Sequence, residues 1–102
     1  MTREHFFLCK LLPPRPDFAQ TMTERERAAM IEHVAYWTQH ARDGVAIVFG
    51  PVADPAGAWG VAILRTSGAD EVAELQANDP AIKAGIGVRY ETLPMVRAVV
   101  AG

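Results

Sequence analysis

The chain has a single cysteine, Cys9, so it cannot form an internal disulfide, and no Cys/His set has zinc spacing. It has no excess of positive charge: 10 Lys and Arg stand against 12 Asp and Glu. A domain that bound a phosphate backbone would be basic, so nucleic acid is a poor partner. No basic cluster marks a membrane surface, and no apolar run is long enough to span a bilayer. The opening Met1-Thr2-Arg3-Glu4-His5-Phe6-Phe7 lacks the charged-then-apolar-then-small order of a signal peptide. These absences lead to the expectation of a cytoplasmic protein in a reducing compartment. The 102 residues are enough for one modest core and too few for two, so a single domain is expected over residues 1–102.

Half the residues are apolar, and their spacing orders the chain. His5 to Leu12 is a short apolar run stopped by Pro13-Pro14, which predicts a strand. Pro13, Pro14 and Pro16 stiffen the connection that follows. Thr23-Glu24-Arg25-Glu26 is a capping box opening a helix that runs from Glu24 to about Arg42 or Asp43 and closes at Gly44. Its apolar stripe is read as Met30, Ile31, Val34, Trp37, Thr38 and Ala41. Val45–Val52 and Ala58–Arg65 are strands of a hairpin across the turn Ala53-Asp54-Pro55-Ala56-Gly57. Ser67-Gly68-Ala69-Asp70 signals a cap, and a second helix follows from Asp70 to Asn78. Asp79-Pro80 starts a short helical turn closed by Gly85, and Ile86–Val100 is the last strand region. Pro94 must break that strand or lie at an edge. The order β-α-β-β-α-β predicts an α+β fold of the ferredoxin-like kind, a four-stranded antiparallel sheet with two helices on one face.

Both faces of these strands are apolar. Phe6 and Leu8 oppose Phe7, Cys9 and Leu11; Val45, Ile47 and Phe49 oppose Ala46 and Val48; Trp59, Val61 and Ile63 oppose Ala62 and Leu64. Two helices cover one face of a sheet only. A second copy, sheet against sheet, is the simplest cover for the other, so a homodimer is expected.

Few residues carry chemistry. His33, Tyr36, Trp37 and His40 form one row along the first helix, suited to a pocket for an aromatic or acidic small molecule or, alternatively, to a core edge. His33 and His40 are separated by ~10.5 Å of helical rise, too far to share one ion, so no metal site is expected. Asp79 before Pro80 is a natural helix cap. Close to a histidine it would also fix the imidazole tautomer and stabilise the protonated ring, and residue types alone leave both roles open. Phe49-Gly50-Pro51 and Trp59-Gly60 bracket the hairpin, with glycines where a ligand or a backbone bulge fits. Cys9 reads as a small buried hydrophobe.

Glu32-His33, Gly44, Phe49-Gly50-Pro51, Gly57, Gly60, Asp79-Pro80 and Ala84-Gly85, taken in order, resemble the YCII-related family from about the first strand to Pro94. The resemblance implies a ferredoxin-like fold of the dimeric α/β barrel type and a catalytic His33–Asp79 pair in a pocket. The implied activity is acid/base chemistry without a cofactor: elimination of the lyase type, isomerisation or proton transfer on a small cyclic or aromatic compound. Tyr36, Trp37, Phe49, Gly50 and Pro51 would surround that small molecule, and Arg15 or Arg89 would meet a negative group. The Pro-rich stretch from Leu12 to Phe18 departs from the shortest relatives and would reshape the pocket mouth. The alternative is a non-catalytic, dimeric ligand-binding or accessory module in which Asp79 only caps its helix.

Overall fold

A computed structural model describes residues 2–102, so Met1, the first residue of the expected domain, lies outside the described residues. The elements are β1 (His5–Leu12), α1 (Phe18–Thr21), α2 (Glu24–Arg42), β2 (Ala46–Val52), β3 (Trp59–Thr66), α3 (Ala69–Ala77), α4 (Pro80–Lys83) and β4 (Arg89–Pro94). The four strands form one antiparallel sheet in the order β2-β3-β1-β4, the ferredoxin-like arrangement. Strand and helix limits fall within a residue or two of the sequence reading, except at β4 and at α1, a turn of helix after the proline run. No helix of the described residues is long and apolar enough to cross a membrane.

Local chemistry explains most of the limits. The capping box forms: Glu26 N–H donates to Thr23 Oγ1 at 3.1 Å, and Thr23 N–H donates to Glu26 Oε1 at 2.8 Å. At the head of α3 the cap residue is Gly68, which has no side chain to offer, and Glu71 reaches back to accept the Ser67 amide at 2.7 Å. The expected β4 of Ile86–Val100 shortens to Arg89–Pro94. Ile86 and Val88 leave the ladder to fill the core, with Gly87 between them at φ +94°. Pro94 ends the strand, and one further bond, Met95 N–H to the Phe6 carbonyl at 2.9 Å, completes the pairing. Both proline-bearing strands, β2 and β4, are edges.

The Pro-rich connection folds back onto the hairpin. Gly57 has φ +132°, and a Cβ there would lie 2.6 Å from the Pro16 carbonyl oxygen. A Cβ on Gly87 would lie 3.0 Å from Pro14 Cβ. These two glycines let the proline segment pack down and bring Phe18 into the core beside Leu11, Ala29 and Val88.

The inner face of the sheet buries Phe7, Cys9, Leu11, Ala62 and Leu64 against Trp37 and Val72. One reading of the faces is corrected. A bulge between Ala46 and Val48 shifts the β2 register, so Ala46 pairs with Leu64 and Phe49 with Ala62, and both turn inward. The bulge falls at Ile47 rather than at Gly50 or Gly60. The stripe of α2 is also corrected. Trp37 is buried, but Ile31, Val34 and Ala41 are exposed. The buried row is Glu26, Ala29 and Trp37, with Met30, His33, Tyr36 and His40 half-buried beside it. Polar side chains with partners displaced aliphatic ones without them, a preference that apolar periodicity does not register.

The outer face has no helix. Phe6, Leu8, Val61 and Ile63 are half-buried on it, and Val48 and Leu93 are more than half exposed. Lys10 lies over the Trp59 ring and Arg65 over Phe6, their ammonium and guanidinium groups 5.2 and 5.3 Å from the ring centres.

Candidate active site

Asp79 is fully buried, and α4 begins on it. Its Oδ1 accepts the Ala81 amide at 2.9 Å, the ordinary N-cap bond ahead of Pro80. The same carboxylate faces α2 and β4. His33 Nδ1 lies 2.8 Å from Oδ2 and 3.0 Å from Oδ1. Trp37 Nε1–H donates to Oδ2 at 3.0 Å, and the Tyr90 hydroxyl donates to it at 2.5 Å. One carboxylate therefore caps α4 and also meets His33.

Three elements make this possible. His33 and Trp37 stand one helical turn apart on the inner row of α2. Tyr90 lies on β4 opposite Leu11, on the inner face of the sheet. Helix α4 packs against α2, held in part by Arg25 donating to the Ala84 carbonyl. The carboxylate thus sits where a helix, a strand and a helix start converge.

Burial pushes the Asp79 carboxyl up, but the hydrogen bonds from His33, Tyr90 and Trp37 outweigh it and hold the group below its ordinary value. An ionised carboxylate has only acceptors, so Nδ1 of His33 must carry a proton, and Nε2 is the ring nitrogen left free. Tyr90 is pushed far up by burial and by the Asp79 charge, which keeps its hydroxyl a donor. Among the described residues no buried side-chain nitrogen or oxygen lacks a partner.

His33 lines a cavity of about 270 Å³ between α2 and the sheet. Trp37, Phe49, Gly50, Pro51 and Tyr90 line it too. A Cβ added to Gly50 would meet nothing within 4 Å, so the space beside that backbone is open. Of the residues the sequence pointed to, His33, Trp37, Phe49, Gly50 and Pro51 are brought together here, with Asp79 behind His33. Tyr36 lies elsewhere: its hydroxyl donates to the Leu75 carbonyl at 2.8 Å, and its ring meets Trp37 and His40 edge-on. Arg15 is also away from the cavity. Its guanidinium grips Glu26 at 2.8 and 2.9 Å and bonds to Thr21, tying the proline segment to α2. The Glu26 carboxyl is lowered to about 2, first by Arg15 and then by the Thr23 amide. Arg89 is exposed on the edge strand. Cys9 is buried in the core, where burial pushes its thiol up. Among the described residues no group of three or more His, Cys, Asp or Glu is placed to hold a metal ion.

Tyr90 is the residue sequence reasoning missed. Its signal was an inward-facing tyrosine on a strand, whose hydroxyl needs a partner once buried.

The model of the YCII-related domain matches residues 6–96, nearly the whole chain. The chain belongs to the YCII-related domain family. A search of curated proteins found no match. Within this YCII-related unit the matched span contains every group of the site, from Leu11 on β1 to Tyr90 on β4.

Proposed function

We propose that this YCII-related protein is a small-molecule enzyme in which Nε2 of His33 moves a proton on a small cyclic or aromatic compound held in the cavity. The observation that carries this reading is a buried carboxylate behind an imidazole that lines an apolar cavity and has its second nitrogen free. In an elimination, His33 takes a proton from a ring carbon and the leaving group departs from its neighbour with the bonding pair. The imidazolium formed is stabilised by Asp79 and returns its proton to solvent or to the leaving group. Isomerisation and simple proton transfer use the same pair, with the proton returned to the substrate. Such a base supplies ~10²–10⁴-fold, and orientation in the cavity supplies the rest. The chemistry needs no cofactor.

A binding-only reading is favoured by one observation. Asp79 has structural reasons for its place, as the cap of α4 and the acceptor for Trp37 and Tyr90. The two readings separate by NMR in D₂O with a panel of phenols, quinones and lactones. The enzyme reading expects solvent deuterium incorporation or conversion of at least one compound, abolished by His33→Gln. Compounds that bind and never exchange or convert would sink it in favour of the binding module.

The outer face of the sheet supports the expectation of a homodimer, because Phe6, Leu8, Ile63 and Leu93 have no cover from the chain's own helices. We infer that two copies pack sheet to sheet across a two-fold axis. The free cysteine fits a cytoplasmic location.

A further inference from the structure

No lysine, arginine, aspartate or glutamate lines the His33 cavity. Beside it lies a second chamber of about 110 Å³, also without a charged side chain. Leu11, Met22, Met30 and Pro51 line both, so the two chambers share a wall. Two of those four side chains are methionines, unbranched thioethers that change rotamer at little cost. The far side of the second chamber is Phe18, Ala58, Trp59 and Val88. The proline segment builds this chamber by delivering Phe18, and Arg15 holds that segment with its guanidinium turned to Glu26 rather than to a ligand.

From these features we propose that the substrate has two parts: a single ring carrying its exchangeable proton at His33, and a short, uncharged, unbranched apolar substituent that enters the second chamber between Met22 and Met30. This deepens the acid/base reading and rests on it. A charged substituent finds no counter-ion in the second chamber, and burying it there unpaired is prohibitive. At ~30 Å³ per water-sized volume, the second chamber holds about three or four heavy atoms, and the first holds a ring with small substituents.

Trp37 lines the first chamber and Phe18 only the second, so a fluorine on each reports separately. The test is ¹⁹F NMR of protein labelled with 5-fluorotryptophan or with 4-fluorophenylalanine, assigned with Trp59→Phe and Phe18→Leu and titrated with phenol and its 4-ethyl, 4-propyl and 4-butyl derivatives. Phenol is expected to move the Trp37 signal alone, and the propyl and butyl compounds to move those of Trp37 and Phe18. Affinity should rise about fourfold per methylene until the chamber is full. The anion 3-(4-hydroxyphenyl)propionate, of similar length, should lose that gain. Ala58→Leu should abolish the gain and leave phenol binding unchanged, and the titration of the native protein decides the matter even where that variant folds poorly. Phenols that shift Trp37 with equal affinity along the series, leaving Phe18 still, would overturn the two-chamber proposal and leave the His33 reading standing. A panel in which no phenol moves Trp37 overturns both.

Discussion

Replacing Asp79 with asparagine keeps the shape of the side chain and removes its charge and one acceptor. The carboxylate receives four donors: His33 Nδ1–H, Trp37 Nε1–H, the Tyr90 hydroxyl and the Ala81 amide. Asparagine has one oxygen. Turned toward Ala81, it keeps the cap and sets its amide hydrogens against the Trp37 N–H. Turned the other way, it keeps Trp37 and loses the cap. His33 can change tautomer, Tyr90 can rotate its hydroxyl, and the Trp37 N–H also donates to the Tyr90 oxygen at 3.1 Å, so the remaining oxygen serves the Ala81 amide. The three other bonds lose their charged acceptor inside the protein at about 1 kcal/mol each, for a total of about 3 kcal/mol. For a domain of this size that corresponds to roughly 12–24 °C in Tm. Urea unfolding of the native protein and Asp79→Asn measures it. The pH dependence has a defined sign. The folded carboxyl is held below its ordinary value, so its stabilisation is complete above the usual carboxylate range and is lost as pH falls through the folded value. The gap between the two proteins should narrow in acid below about pH 4. A loss under ~1 kcal/mol at neutral pH would refute the reasoning, because a carboxylate with four buried donors cannot be that cheaply replaced.

Three further outcomes follow from the same geometry. In a spectrophotometric pH titration neither of the two tyrosines should ionise near 10, since burial raises both, and Tyr90→Phe should remove the later of the two steps; a tyrosine titrating normally in the native protein contradicts the burial of these hydroxyls. Gly57→Ala should cost about 1–3 kcal/mol in chemical denaturation, because its positive φ and the Pro16 carbonyl both oppose a Cβ; an unchanged midpoint means the proline segment does not pack there. Leu93→Glu, on the uncovered sheet face, should convert a dimer to monomer in analytical ultracentrifugation and change monomer stability by no more than about 0.5 kcal/mol; a native protein that sediments as a monomer removes the sheet-to-sheet pairing.

The order of elements was legible because each rests on local chemistry. The Thr23–Glu26 capping box, the Asp54-Pro55-Ala56-Gly57 turn and the stops at Pro13 and Pro94 act within a few residues, and the strands alternate as the pleat requires. From these the ferredoxin-like topology follows without reference to any distant contact. His33 and Asp79 were legible as candidates by residue type and by resemblance, and Asp79 as a cap by its neighbour Pro80. Their contact was not, because 46 residues separate them and only the docking of α4 on α2 closes that distance. The apolar stripe of α2 was misread at Ile31, Val34 and Ala41 for a related reason. Periodicity ranks side chains by apolarity, whereas burial of His33 was decided by a carboxylate on another element. The inward turn of Phe49 depended on one bulge at Ile47, and the place of Arg15 on its partner Glu26. Sequence by itself determined every element but α1, their order and the α+β class, since those forces are short-ranged. Which polar groups meet, which face of a helix turns inward and where the cavity lies were decided by tertiary packing, since a buried polar group is stable only where the fold supplies its partner.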